Sequence, residues 1–366
     1  MRGKTLGILV GALLAGACTA TPATPQPAPS SSSSAAETAL ADYLDGLVER
    51  QEFRGAVQVR LGDRVLLNRG YDMADTATGV PNGPDTRFQI ASLTKQFTAL
   101  AVLRLQELGK LRTADPVCAH LPRCPPPWAP ITIDQLLTHT SGLFSYTEPS
   151  DAKDRFLAKP GTHFTPEQLI GTFADRPLNF VPGSQWGYSN SGYAVLGYLI
   201  ELTSGQDYGT FLRQQIFEPL KLNDTGYLAN PQNGPPVATG YADWSTVATY
   251  EEPTAAFAAG GLYSTVNDLA RWNDFLRTAN PSIVARDTLA QLVRPRIAVT
   301  GTDHYGYGIF INGMIDDPIY VHNGGNPGFS AYNEIRPTSG LSITMLSNLE
   351  TADPNVIGHT LARLAR

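Results

Sequence analysis

Strand-like patterns lie near both ends of this chain, and helical patterns fill the region between them. Residues 55–68 alternate apolar and polar side chains around Gly62-Asp63, which is a hairpin signal. Strand-like segments return after about residue 295, whereas helical patterns broken by proline and glycine loops occupy 131–235. The sequence therefore predicts an α/β fold of the α+β type. An antiparallel sheet formed from both chain ends would be flanked by helices and interrupted by an inserted helical subdomain.

The last part of the chain contains a series of expected strands. Their bounds are Tyr305–Ile311, Ile319–His322, Ser330–Ile335 and Leu341–Leu346. Apolar residues at helical spacing predict an amphipathic helix over 38–50, and a closing helix is expected over 353–366. Between these regions, the stretch from Phe88 to Ser92 leads into a strongly apolar helix that Gly109 ends.

The length of 366 residues suggests two domains, or one large domain with an insertion. We expect an α/β layer built from about 38–90 and 245–366, with a helical subdomain over about 91–244. Hydrophobic residues make up 42% and charged residues 16% of the chain, so a large core can form and wholesale disorder is excluded. The net charge of −6 argues against nucleic acid as a partner, because phosphate binding needs a surplus of Lys and Arg.

Residues 1–17 are typical of a signal peptide. Arg2 and Lys4 form a basic start, and the apolar run from Leu6 to Ala17 is too short to span a bilayer. The run ends in small residues before Cys18, which is similar to a bacterial lipobox, in which the cysteine receives a lipid. Ordinary cleavage near the same place, with full release of the protein, is the alternative.

Residues 18–37 form a tether rich in Pro, Ser and Thr that cannot bury apolar surface. The folded domain is expected to begin at residue 38 and to run to 366. Signal and tether together predict an exported protein, periplasmic or at the cell surface. If Cys18 is lipidated, that residue would anchor a lipoprotein to a membrane.

Cys118 and Cys124 lie six positions apart in a proline-rich loop. In an oxidising compartment they are candidates for a small local disulfide, and two idle thiols are the alternative. His120 is the single further candidate ligand nearby, whereas a structural zinc site needs four ligands. The sequence therefore predicts no metal site, and we expect no cofactor.

Ser92-Leu93-Thr94-Lys95 is an S-x-x-K motif at the start of an apolar helix. Positions i and i+3 share one helix face, so the lysine can serve the serine hydroxyl as a base if burial lowers its pKa. The alternative is a helix N-cap serine with a surface lysine one turn on. Ser150-Asp151-Ala152-Lys153 has the same spacing but no apolar stripe behind it, and we expect it to be a solvated loop.

Two further motifs follow the serine in order. Tyr188-Ser189-Asn190 precedes an apolar helix, and His322-Asn323-Gly324 follows an apolar strand and runs into Gly325. With these three motifs the chain resembles the serine β-lactamase and penicillin-binding-protein superfamily. The branch is that of class C β-lactamases, D,D-carboxypeptidases, D-aminopeptidases and related esterases. The segment L-L-T-H-T-S-G-L at 136–143 is similar to one in the same family.

The resemblance implies a β-lactamase/transpeptidase-like fold and an acyl-enzyme mechanism. Ser92 would attack a carbonyl, while Lys95 and Tyr188 shuttle protons. Asn190 would orient Lys95 and a substrate amide. The N–H groups of Ser92 and Gly325 would form the oxyanion hole, next to Gly324 of the third motif.

His322 of the third motif would face a substrate carboxylate or amide. Histidine is charged for only part of the time near neutral pH and holds a carboxylate less firmly than lysine does. The expected activity is therefore that of a D-amino-acid peptidase or D,D-carboxypeptidase-like enzyme on small peptides or esters, including peptidoglycan-derived ones. The alternatives are a carboxylesterase of this fold and a class C-like β-lactamase. We expect a monomer.

The sequence offers four other interpretations. His304-Tyr305-Gly306 is a second H-x-G, but it lacks the glycines that follow His322. His139 could be taken for a catalytic base, yet its place in the family segment favours a structural role. Residues 187–191 nearly match the nucleophile elbow of α/β-hydrolases, without a strand before them. A degenerate binding domain is the non-enzymatic alternative, which the intact motifs disfavour.

Overall fold

The computed structural model describes residues 31–148, 162–231, 233–249, 252–314 and 316–366, with the backbone alone for 31–34. The expected signal peptide, Cys18, the first part of the tether and the Ser150–Lys153 motif lie outside the described residues. Helix α1 (Ser31–Glu49) begins within the segment that the sequence assigns to the tether. The expected boundary at residue 38 therefore falls inside a helix, since Ser and Ala can be helical next to an amphipathic stretch.

Within the described residues, eight strands form the main sheet in the order β2-β1-β13-β12-β11-β10-β9-β8. All neighbouring strands of this sheet are antiparallel. Strand β1 pairs with its hairpin partner β2 on one side and with β13 on the other, so strands from both ends of the domain are neighbours in the sheet. The expected fold class is confirmed. The bounds are β1 Gly55–Leu61, β2 Arg64–Tyr71, β8 Ile297–Thr300, β9 Asp303–Tyr305, β10 Phe310–Met314, β11 Asp317–Asn326, β12 Phe329–Arg336 and β13 Leu341–Ser347.

Two of the expected strands have different bounds in the structure. The segment Tyr305–Ile311 is not one strand, because β9 ends at Tyr305 and β10 begins at Phe310. Gly308 lies between them with φ +73°, and a Cβ there would come within 2.5 Å of the backbone oxygen of Lys95. Strand β11 does not end at His322 but continues to Asn326. The turn at Gly308 therefore fits closely against the helix that begins beside Ser92.

Shorter strands complete the β structure of the described residues. Strands β3 and β4 pair with each other, and β5, β7 and β6 form a small sheet next to the main one. Their bounds are β3 Met73–Asp75, β4 Val80–Pro81, β5 Phe88–Gln89, β6 Gly226–Tyr227 and β7 Leu262–Ser264. Strand β5 leads directly to Ser92, so this small sheet anchors the start of the S-x-x-K motif.

Helices cover both faces of the main sheet. After α1, their bounds are α2 Thr94–Glu107, α3 Ile133–Leu137, α4 Pro166–Gly171, α5 Asn190–Ser204, α6 Tyr208–Leu212, α7 Glu218–Leu220, α8 Pro253–Gly260, α9 Val266–Arg277, α10 Arg286–Leu292 and α11 Pro354–Leu364. Alternate strand residues enter different cores, as the two-residue period of a strand requires. Ala56 joins the core around α2 and α5, whereas Val57 joins the core around α1 and α11.

Helix α2 is almost wholly surrounded by other elements. Its residues from Thr94 to Leu103 are all buried, and it contacts α5, α8 and α10. Helix α5 is buried from Ser191 to Ile200. A lysine near the start of α2 is therefore held in an apolar environment by packing on every side.

Cys118 and Cys124 are joined by a disulfide, with 5.3 Å between their Cα atoms. The bond closes a loop whose Val117 is buried in the core around α2. Across the described ranges, no helix is both long enough and apolar enough to cross a membrane.

Candidate active site

Ser92 lies in a tight turn between β5 and α2. Ala91 before it has a φ of +45°, which is unfavourable for a residue with a Cβ. Strain of this kind persists at functional sites where the surroundings enforce it. Ser92 caps neither its own 3₁₀ turn nor α2 through its side chain, so the N-cap alternative is wrong. The turn instead presents a half-buried Ser92 hydroxyl to two other side chains.

Lys95 is fully buried one turn along α2, and its Nζ lies 3.0 Å from Oγ of Ser92. Nζ also donates to the backbone oxygen of Ala259 at 2.7 Å. Among the described residues, no carboxylate forms an ion pair with this lysine. Burial therefore holds the pKa of Lys95 well below its usual range, and the neutral amine can act as a base.

The carbonyl that holds Lys95 comes from an irregular helix. Helix α8 is broken at Phe257, which has φ +38° and ψ −131°. Next to this kink, Ala258 accepts a hydrogen bond from the Thr98 hydroxyl and Ala259 accepts one from Lys95. Because the acceptor is a backbone oxygen, no residue type or spacing in the sequence points to Ala259.

Tyr188 completes a three-residue contact around the serine. Its Oη donates to Oγ of Ser92 at 2.9 Å. Burial raises the pKa of the Tyr188 phenol, so the group is a protonated donor at neutral pH. Nζ of Lys95 lies 4.9 Å from the Tyr188 ring centroid, so Lys95, Ser92 and Tyr188 form one cluster.

Asn190 begins α5 two residues after Tyr188 but does not contact Lys95. Its Nδ2 donates to Oγ1 of Thr147 at 2.7 Å, and its Oδ1 has no hydrogen-bond partner within the part of the chain that the structure describes. The expectation that Asn190 orients Lys95 is therefore wrong, because Ala259 takes that place. The unpartnered Oδ1 is buried and does not line the cleft that contains Ser92, so the expected contact with a substrate amide stays a prediction.

His322 is buried, with 1% of its surface exposed, and does not line the cleft that contains Ser92. Its Nδ1 donates to the backbone oxygen of Asn323 at 2.6 Å, and its Nε2 lies 3.3 Å from Oη of Tyr305. Desolvation is the main cause that lowers the pKa of His322 to about 3, and Lys95 adds to this whenever the lysine carries a proton. The expectation that His322 faces a substrate carboxylate is wrong in this structure, because β11 turns the ring into the protein interior.

Gly324 and Gly325 bring β11 against the nucleophile. A Cβ on Gly324 would lie 2.7 Å from the backbone oxygen of Ile90 and 2.9 Å from the amide nitrogen of Ser92, so only glycine fits. Gly325 is exposed and lines the same cleft as Ser92. The two backbone N–H groups expected for an oxyanion hole thus border one cavity.

The cleft has a volume of about 850 Å³ and is lined by both aromatic and acidic side chains. Trp186, Tyr188, Phe310 and Phe329 form what we call the aromatic wall, and Glu350 and Asp353 are the carboxylates. Among the described residues that line it, none is Lys, Arg or His. Trp186 and Phe310 were missed in the sequence, because single aromatic residues in loops and strand ends carry no recognisable pattern. No group of three or more His, Cys, Asp or Glu in the described ranges has the arrangement of a metal site.

The remaining sequence candidates lie elsewhere. His304 binds the backbone oxygen of Thr302 and does not line the cleft. Ser189, the serine of the elbow-like segment, is 2% exposed and begins α5 without the exposure that a nucleophile needs. His139 is buried and stacks near the Tyr188 ring, with 4.3 Å between the ring centroids.

Comparison with known proteins extends over almost the whole described chain. A family model described as Beta-lactamase matches residues 40–366. Esterase EstB of Burkholderia gladioli is 30% identical over 351 residues, which cover 83% of this chain and 88% of the esterase. The family match spans the strands from both chain ends and the helices between them.

Solved structures with the same fold include a penicillin binding protein from Bacillus halodurans. It has a TM-score of 0.79 at 26% identity, covering 88% of this chain and 99% of that one. A D-stereospecific amidohydrolase from Streptomyces sp. has a TM-score of 0.73 at 26% identity, covering 89% of this chain and 97% of that one. The sheet-and-helix architecture is therefore shared with proteins of more than one activity.

Proposed function

The chain belongs to the β-lactamase family, and we propose that it is a serine hydrolase that forms an acyl-enzyme on Ser92. The observation that carries this proposal is the double contact of Oγ of Ser92, with Nζ of Lys95 at 3.0 Å and Oη of Tyr188 at 2.9 Å. A serine hydroxyl becomes a useful nucleophile when a neighbouring base can take its proton. Here the base is an amine kept neutral by burial.

The proposed reaction has two half-steps. The neutral Lys95 amine takes the proton of Ser92 as its Oγ attacks the carbonyl carbon, and the negative oxygen faces the N–H groups of Ser92 and Gly325. The Tyr188 phenol gives its proton to the leaving nitrogen or oxygen and regains one from the Lys95 ammonium. Water then attacks the ester carbonyl under the same base, and the carboxylic product leaves with Ser92 protonated again.

The charges of the cleft select among the expected substrates. A free carboxylate next to the scissile bond, as in D,D-carboxypeptidase substrates and β-lactams, meets no cation among the described lining residues. Glu350 and Asp353 favour an ammonium instead, and Trp186 and Phe310 offer apolar contact area. We therefore place D-amino-acid amides and peptides with a free amino group first. The similarity to the D-stereospecific amidohydrolase from Streptomyces sp. supports this choice.

Carboxylesterase activity is the second candidate. The aromatic wall next to Ser92 needs no charged partner on the acyl group. The similarity to esterase EstB, at 30% identity, supports this alternative. The two activities share one acyl-enzyme and differ in the leaving group, so one panel of substrates separates them.

The test is covalent labelling with a fluorophosphonate and a fluorescent penicillin, followed by turnover of a substrate panel. The panel holds a D-phenylalanine amide, a p-nitrophenyl ester, a D-Ala-D-Ala peptide and a cephalosporin. Ser92→Ala is expected to abolish fluorophosphonate labelling, whereas Ser189→Ala, the matched control, keeps it. Labelling that persists in Ser92→Ala would refute the nucleophile. Efficient cephalosporin turnover with slow amide and ester hydrolysis would overturn the substrate assignment.

We also propose that the protein is exported, monomeric and acts near peptidoglycan, with Cys18 as a lipid anchor. The support is the basic and apolar start of the chain and the small residues before Cys18. Cys18→Ala is expected to move the protein from the membrane fraction to the soluble exported fraction. An unchanged distribution would leave release after cleavage as the explanation.

A further inference from the structure

Three buried side chains behind Tyr188 take no direct part in the proposed proton transfers. His139, Tyr305 and His322 are 1%, 0% and 1% exposed and come from three distant parts of the chain. Nε2 of His139 lies 3.2 Å from Oη of Tyr305, and Oη of Tyr305 lies 3.3 Å from Nε2 of His322. The tyrosine hydroxyl thus joins two histidine rings in one chain of hydrogen bonds.

The partners at the two ends fix the direction of every bond in this chain. The backbone N–H of Ser189 donates to Nδ1 of His139 at 3.2 Å, so the proton of a neutral His139 sits on Nε2 and points at Tyr305. At the other end, Nδ1 of His322 donates to a carbonyl, so its Nε2 has a free lone pair. Tyr305 therefore accepts from His139 and can donate to His322, and its hydroxyl also interacts with that of Tyr193. The donors and acceptors of the two histidines match Tyr305 when both rings are neutral.

This hydrogen-bonded chain connects the backbone next to Tyr188 with the backbone of β11. One end holds the backbone of Ser189, which directly follows Tyr188, and the other holds the backbone of Asn323, two residues before Gly325. The His139 ring also packs against Tyr188 at 4.3 Å between centroids. His139 itself has a φ of +58°, an unfavourable conformation that persists where the surroundings enforce it.

We propose that His139, Tyr305 and His322 are positioning residues, which hold Tyr188 and the β11 backbone at a fixed spacing around Ser92. The inference rests on the proposed acyl transfer at Ser92. It assigns the histidine of the third motif to the interior, as an acceptor for Tyr305, and not to the substrate. Tyr305 becomes the central residue, because its hydroxyl lies within hydrogen-bond distance of both histidine rings.

The packing around His322 supports this assignment over substrate binding. Its ring lies 5.2 Å from the Phe310 ring and 6.5 Å from the Tyr188 ring, measured between centroids, and both of those side chains line the cleft. Both aromatic side chains therefore pack near the imidazole, which is 1% exposed. A substrate carboxylate could contact the His322 ring only if this packing opened.

The decisive variant is Tyr305→Phe, which keeps the ring and removes the hydroxyl. Its matched control is Tyr307→Phe, because Tyr307 is buried two residues further on and its hydroxyl binds Asp134, away from the cleft. A small displacement of catalytic groups can cost up to about 100-fold in rate. We expect Tyr305→Phe to lower kcat about 10- to 100-fold with KM within about twofold of wild type. Tyr307→Phe should leave both constants within about twofold. Equal effects of the two variants on kcat would overturn the proposal.

A second pair keeps the proposal testable if Tyr305→Phe does not fold. In His322→Gln the side-chain oxygen can occupy the position of Nε2 and accept from Tyr305, whereas His322→Asn is too short to do so. We expect the glutamine variant to keep kcat within about threefold of wild type, and the asparagine variant to fall about 10-fold or more. Equal losses in both, with a raised KM for carboxylate-bearing substrates, would show that His322 is a substrate ligand.

Failure of this inference is distinguishable from failure of the proposed function. If Ser92→Ala keeps turnover, the acyl-enzyme proposal is wrong and the positioning role falls with it. If Ser92→Ala is inactive while Tyr305→Phe equals wild type, the acyl-enzyme proposal stands and the positioning role alone is refuted. Circular dichroism and thermal unfolding of each variant check that it is folded.

Discussion

Two regions around the nucleophile present their polar groups in opposite ways: a helical wall, formed by Ser92, Lys95 and Tyr188, and a strand wall, formed by Gly324 and Gly325 of β11. On the helical wall, Nζ of Lys95 and Oη of Tyr188 each lie within 3.0 Å of Oγ of Ser92. On the strand wall, Gly325 of β11 borders the cleft through its backbone, while the His322 ring is turned inward. Proton transfer is therefore assigned to side chains and charge stabilisation to backbone N–H groups.

The same physical cause acts on both walls with different results. Desolvation lowers the pKa of Lys95 and that of His322, because burial disfavours the charged form of each. For Lys95 the loss of charge creates a base next to the serine. For His322 it removes a cation that could have held a substrate carboxylate. In the proposed reaction, burial thus supplies Ser92 with a neutral lysine as its base. Burial also leaves a substrate carboxylate without a charged histidine to bind.

The largest expected effect on catalysis comes from replacing Lys95 with a residue that is always positively charged. Lys95→Arg should lower kcat/KM about 1,000-fold or more, since a guanidinium does not deprotonate and cannot act as the base. The exposed Lys110→Arg is the matched control and should equal wild type. In the wild type, kcat is expected to rise with pH as Lys95 deprotonates, below the usual range of a lysine pKa. A Lys95→Arg enzyme with more than about a tenth of wild-type activity would contradict the proposed base.

The next effect separates the acid from the base on the same wall. Tyr188→Phe should lower kcat for an amide about 100- to 1,000-fold, because the leaving nitrogen loses its proton donor. The loss should be smaller for a p-nitrophenyl ester, whose leaving group needs no proton. Tyr198→Phe, which removes a hydroxyl bound to Glu167 outside the cleft, is the control. Equal losses for amide and ester would argue that Tyr188 serves only to place Ser92.

Neighbouring glycines test the strand wall. Gly324→Ala places a Cβ 2.9 Å from the amide nitrogen of Ser92 and should push β11 away from the nucleophile. We expect kcat to fall about 10- to 100-fold as the oxyanion donors separate. Gly325→Ala meets no atom within 4 Å and keeps its N–H group, so it should stay within about threefold of wild type. The pair is read from steady-state kinetics, and a harmless Gly324→Ala would contradict the close packing of the two walls.

The smallest expected effect concerns stability and not rate. His322 is neutral in the fold with a pKa of about 3, whereas in the unfolded chain it titrates near its ordinary value of 6.5. Its contribution is complete above pH 6.5 and is lost as the pH falls towards 3, because only the unfolded chain takes up the proton. When the pH is lowered from 7 to 5, the unfolding free energy of the wild type should therefore fall by about 2 kcal/mol more than that of His322→Gln. Urea titrations at both pH values measure this, with His163→Gln as the exposed control, and equal losses would contradict a buried neutral ring.

The sequence predicted the helical wall better than the strand wall. Ser92 and Lys95 are three residues apart on one helix, so their contact follows from local geometry. The inward direction of His322 depends on Tyr305 at the end of β9 and on His139 after α3, and no local pattern encodes that. The end of the expected strand at His322 was wrong for a related reason, because pairing with β12 extends β11 through two glycines to Asn326.

Hydrogen bonds to backbone atoms were the other part of the site that the sequence could not predict. The hydrogen bond from Lys95 to Ala259 depends on the break at Phe257, and an alanine carbonyl is invisible in a motif search. Asn190 has the residue type and spacing of the family motif, yet its amide binds Thr147 in the structure. The fold class was predictable because alternating strands at both ends and helical patterns between them leave few other arrangements.

The pairing of β1 with β13 also affects the order in which the sheet can form. Seven residue pairs join β1 to β13, so partners from the beginning and the end of the domain must find each other before the sheet can close. Such high contact order slows folding, and until β13 has been synthesised one edge of β1 stays unpaired and open to aggregation. Strand β11 is connected to β1 through β12 and β13. We therefore expect its position relative to β1 to be fixed only after β13 has paired with β1. During synthesis this chain should therefore depend on protection of an open strand edge for longer than a protein whose sheet forms from consecutive hairpins.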